Sequence, residues 1–63
     1  MNNTEIWTII GALGIKPYFL GDWVFSWEDI NGNKIMGTGY SIQKASENFV
    51  RNFLKGNKCL YLQ

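Results

Sequence analysis

Ile6, Ile9, Ile10 and Leu13 recur three and four positions apart, the spacing that lines one face of a helix. Asn2 stands ahead of them with Glu5 three residues later, a capping-box pattern in which Asn replaces Ser or Thr. A first helix is therefore predicted from about Asn3 to Leu13. Gly14 supplies a left-handed stop and Pro17 forbids continuation. Gly11 weakens the helix interior by up to about 1 kcal/mol relative to Ala and is read as a close-packing position.

The pattern then changes from helical to extended. Tyr18 to Leu20 is a short apolar piece ended by Gly21-Asp22, and residues 23–28 (Trp-Val-Phe-Ser-Trp-Glu) have the aromatic and β-branched content of a strand. Asn31-Gly32 is the strongest hairpin signal in the chain. Used as a two-residue turn, it pairs Asp29 with Lys34, Trp27 with Met36, Phe25 with Thr38 and Trp23 with Tyr40. One sheet face then carries Trp23, Phe25, Trp27, Met36 and Tyr40, and the other Val24, Ser26, Ile35, Gly37 and Gly39. A longer loop over Asp29–Asn33 is the alternative; it slips the register by one and exchanges one strand's faces. Gly37-Thr38-Gly39 lacks the rest of a phosphate loop and is read as two small residues that let a helix or loop lie close.

Ser41 is a good N-cap for a second helix. Its buried stripe is Ile42, Ala45, Phe49, Val50, Phe53 and Leu54, with Lys44, Glu47, Asn48, Arg51 and Lys55 outward. Gly56-Asn57 has the signature of its C-cap. Cys59 to Leu62 then reads as a strand, either an added sheet edge or a strand for a partner chain. The expected fold is a single α+β domain over residues 1–63. It is a small two-layer α-β-β-α sandwich: an antiparallel hairpin or three-stranded sheet packed by two helices, with a candidate C-terminal edge strand. The aromatic face is expected to be core rather than a stacking platform for bases. The opposite face and the sheet edges are left for binding.

Composition narrows the chemistry. With no His and one Cys, the chain lacks the commonest general base and metal ligand and can form neither an internal disulfide nor a Cys-built zinc site. Glu28 and Asp29 are neighbours on a strand and point to opposite faces, so they form no catalytic dyad. Cys59 has no His to activate it. The expectation is a non-catalytic protein with no cofactor, no metal and no evident small-molecule substrate. The N-terminus has no basic region of a secretory signal, the apolar run from Ile6 to Ile15 is too short to span a membrane, and an unpaired thiol suits a reducing compartment. A cytoplasmic setting without membrane attachment is expected.

A net charge of +1 is unevenly distributed: residues 1–40 are acidic on balance and residues 41–63 basic. Lys44, Arg51 and Lys55 share one outer ridge of the second helix, and Lys58 follows them; such a ridge suits phosphates or an acidic protein surface. Leu60 and Leu62, with the Tyr18–Leu20 edge, suit β-augmentation. The candidate binding residues are thus Lys44, Arg51, Lys55, Lys58, Leu60 and Leu62. The principal expectation is a protein-interaction module (a small regulator, inhibitor or assembly factor) with a protein partner or self-association. The alternative is nucleic-acid binding through the ridge.

Gly37-Thr38-Gly39-Tyr40-Ser41, with Ala45 four residues on and Leu54 near the helix end, resembles the third strand and second helix of double-stranded-RNA-binding domains. Pro17-Tyr18 after an N-terminal helix is similar as well. Where that family carries a Lys pair this chain has Ile42 and Gln43, and Ser46 stands where a further Lys is expected. Degenerate members of the family serve in protein contacts, which is what the resemblance implies here.

Overall fold

A computed structural model describes the backbone of residues 2–62 and the side chains of residues 2–55. Its elements run α1 (Asn3–Leu13), β1 (Tyr18–Leu20), β2 (Asp22–Glu28), β3 (Lys34–Gly39) and α2 (Ile42–Leu62). The predicted caps at Asn2, Gly14 and Ser41 form. Asn2 Oδ1 accepts from the Glu5 N–H at 2.9 Å, and Gly14 closes α1 in the left-handed region at φ 68°. Ser41 Oγ accepts from the Lys44 N–H at 3.1 Å, meeting one of the donors that a helix start leaves free.

The three strands form one antiparallel sheet in the order β1-β2-β3. Both helices pack on one side of it. Ile6 and Ile10 of α1 meet Phe25 of β2 and Ala45, Phe49 and Val50 of α2, with Trp23, Trp27, Ile35 and Phe53 packed around them. The Phe25 ring lies 6.3 Å from that of Phe49, and Trp27 meets Phe53 edge-on at 5.4 Å. The apolar stripes of both helices supply the core through Ile6, Ile10, Ala45, Phe49 and Val50, but Ile42 and Leu54, expected in the buried stripe of α2, are exposed. Ser46 joins them fully buried, its hydroxyl donating to the Gln43 carbonyl at 2.6 Å.

The hairpin register is the alternative with the longer loop. Trp27 pairs with Ile35, Phe25 with Gly37 and Trp23 with Gly39, one residue away from the two-residue-turn pairing. Asp29 does not pair with Lys34; that place is taken by Glu28. Asp29 instead organises the five-residue loop, accepting from the Asn31 and Asn33 N–H groups at 2.8 and 2.9 Å and from the Asn33 amide at 3.1 Å. The slip moves Ile35, Gly37 and Gly39 to the helix side and sends Met36 and Thr38 to the other. Helix packing explains the choice: α2 crosses β3 so closely that a Cβ at Gly39 would stand 2.6 Å from the Ala45 nitrogen, and one at Gly37 would collide with the Phe49 backbone. Met36 and Thr38 could not occupy that side.

Two other expectations are corrected. The second helix does not end at Gly56-Asn57; it continues to Leu62, and Cys59–Leu62 is helical rather than an edge strand. Gly costs about 1 kcal/mol in a helix but keeps its N–H, and no Pro follows to break the ladder. The nearby β3 edge is also already occupied, as described below. Gly11 is exposed, with open space where a Cβ would go, so it marks no close contact.

Candidate interaction surface

The two edges of the sheet differ. Along β3, the Asn48 side-chain amide donates to the Thr38 carbonyl at 2.6 Å and that of Asn52 to the Met36 carbonyl at 2.8 Å. These residues lie one turn apart on the flank of α2, so a single helix face supplies two donors two residues apart along the strand. The amides take up carbonyls that an incoming strand would need. Sequence reasoning placed Asn48 outward and passed over Asn52; their i,i+4 spacing beside the buried stripe was the available signal.

Among the described residues no such cover lies on β1. It pairs with β2 on one side, through Tyr18–Val24, Phe19–Trp23 and Leu20–Asp22. Its three side chains are exposed: Tyr18 at 39%, Phe19 at 60% and Leu20 at 75%. Phe19 stands on the helix side, edge-on to Trp23 at 5.3 Å, because α2 lies over β3 and leaves β1 uncovered. Tyr18 and Leu20 point to the other side with Val24, Met36 and Thr38. Val24 is nonetheless buried, flanked by its pairing partners Tyr18 and Thr38. The uncovered sheet side is thus apolar at its β1 end.

The basic ridge is a separate surface. Lys44 Nζ lies 3.9 Å from Glu47, whereas Arg51 and Lys55 are exposed. Arg51 and Lys55 rim a groove of about 480 Å³ whose apolar part is Ile6, Val50 and Leu54, with Glu47 also on it. Lys58, Leu60 and Leu62 fall on the last turns of α2, where their side chains lie outside the described residues. Among the described residues, Lys44, Arg51 and Lys55 therefore do not form one site with β1: α2 covers β3, and β1 stands two strands away, about 10 Å.

Asp29 is the one described group with a clear pKa displacement. The Asn33 N–H, then the Asn33 side-chain amide, hold its carboxyl below the ordinary 3.8. That is the electrostatics of a loop anchor. Among the described residues no three of His, Cys, Asp and Glu gather where they could hold a metal, and no helix is long and apolar enough to cross a membrane. Compared with protein-family models, curated proteins and solved structures, the chain matches none of them.

Proposed function

We propose that this chain is a non-catalytic protein-interaction module, a small regulator, inhibitor or assembly factor, whose partner adds a strand or an apolar segment along β1. The contrast between the edges carries the reading: β3 is closed by Asn48 and Asn52, while β1 offers free backbone groups between the exposed side chains Phe19 and Leu20. In strand addition, backbone hydrogen bonds supply affinity and alternate side chains supply specificity. The test compares immobilised wild-type protein with a Phe19→Ser/Leu20→Lys edge variant and an Arg51→Glu/Lys55→Glu ridge variant, each checked for its fold by circular dichroism. Proteins retained by the wild type should stay on the ridge variant and bind the edge variant about tenfold more weakly or not at all. Undiminished binding to the edge variant overturns the reading.

A second reading, nucleic-acid binding along α2, draws on Arg51 and Lys55 exposed one turn apart on the outer ridge. It requires duplex RNA or DNA to bind the wild type with a log–log salt slope of about −2 for two phosphate contacts, and to leave the ridge variant unbound. Binding that is absent at low salt, or insensitive to salt, removes it.

A further inference from the structure

The free edge has a sequence complementary to itself. We infer that two copies of this chain associate by pairing β1 with β1 of the second copy, antiparallel, about a twofold axis at Phe19. This names the partner of the edge proposed above and rests on that reading.

The ends of β1 set the register. Pro17 has no N–H, and Gly21, at φ 77°, turns the chain into β2, so the free ladder is confined to Tyr18–Leu20. Of the antiparallel registers, the one centred on Phe19 pairs all three residues. It sets Phe19 opposite its counterpart on the helix side and, twice over, Tyr18 opposite the second copy's Leu20 on the uncovered side. An axis perpendicular to the sheet keeps like sides together, as an isologous contact requires.

Charge favours the same orientation. Exposed Lys16 stands just before β1 and exposed Asp22 just after it, and neither has an ionic partner within the chain among the described residues. Antiparallel pairing brings Lys16 of each copy to the Asp22 end of the other. Parallel pairing would set like charges side by side. The closed β3 edges then end the six-stranded sheet on both sides, so the assembly stops at two copies instead of growing into a fibre.

The experiment is sedimentation velocity on the full chain from micromolar to near-millimolar concentration. The wild type should pass from monomer to dimer. Lys16→Glu and Asp22→Lys should each weaken the dimer about tenfold, since each turns two attractive contacts into repulsive ones. An equimolar mixture of the two variants should regain wild-type affinity, because every contact in the mixed pair again joins opposite charges. A folding defect in either variant would not be rescued in this way. A wild type that stays monomeric, a dimer indifferent to both reversals, or growth into larger oligomers overturns the inference. A monomeric wild type whose binding to other proteins still depends on Phe19 and Leu20 overturns the second copy as partner but leaves the edge reading standing. If that dependence is lost too, both fail.

Discussion

Gly37 lies under the point where α2 passes over β3, and a methyl group there would run into the nitrogen, Cα and Cβ of Phe49. The obstruction is mainly backbone, which cannot swing aside as a side-chain end can. Gly37→Ala is expected to destabilise by about 3 kcal/mol, the upper part of the range for overpacking. A domain of this length has roughly 3–9 kcal/mol in total, so urea unfolding should find the variant close to its limit. Gly11→Ala is the matched contrast: its methyl meets nothing within 4 Å, and the same measurement should show a gain of about 0.5–1 kcal/mol. Asp29 makes a prediction in pH. Its carboxyl is held below 3.8 when folded, so the unfolded chain binds more protons in the window beneath that value. Its stabilisation is present above about pH 4 and is lost as the pH falls through the lowered folded pKa. Urea midpoints for wild type and Asp29→Asn should therefore converge on acidification; a constant gap would show that the loop draws nothing from the ionised carboxyl.

At the scale of elements, α2 does more than cover the core. Its buried stripe fastens it to β2 and β3, while Asn48 and Asn52 on its flank bond to two carbonyls at the β3 edge. Replacing both by Ala removes two hydrogen bonds worth about 1 kcal/mol each and uncovers a second pairing edge. The double variant should unfold at lower urea and scatter more light with rising concentration than the wild type. Unchanged scattering would mean that the helix body protects the edge without the amides. The same arrangement bears on the end of α2. A terminal strand added at the β3 edge would have had to displace the two amides, whereas continued helix meets its backbone bonds locally at a cost of about 1 kcal/mol for Gly56.

For the whole molecule, the layers are offset. Two helices on a three-stranded sheet shield β2 and β3 and leave β1 at the margin, which is why Phe19 is exposed although it shares the helix side with buried Phe25. The basic ridge on the outer side of α2 and the apolar edge at β1 are consequently distinct surfaces. A partner held at β1 leaves Arg51 and Lys55 free, which lets edge and ridge variants separate the two readings. Ile30, fully exposed at the tip of the Asp29–Asn33 loop, lies apart from both.

What could be read from the chain alone was local. The span of α1, the position of β1, the caps at Asn2, Gly14 and Ser41, and the helix core positions Ile6, Ile10, Ala45, Phe49 and Val50 follow from hydrogen-bond needs and periodicities within a few residues. Periodicity also assigned Ile42 and Leu54 to the core, and packing left them exposed. Tertiary contact decided the rest. Asn31-Gly32 suits either a two-residue turn or the five-residue loop; the close crossing of α2 over Gly37 and Gly39 selected the loop, and with it the side on which every β3 residue lies. The apolar character of Tyr18–Leu20 was legible, but its exposure depended on where α2 settled. The closure of the opposite edge depended on bringing Asn48 and Asn52 against carbonyls 10 and 16 residues earlier in the chain. Local chemistry determined the elements, and their packing determined which edge was left open.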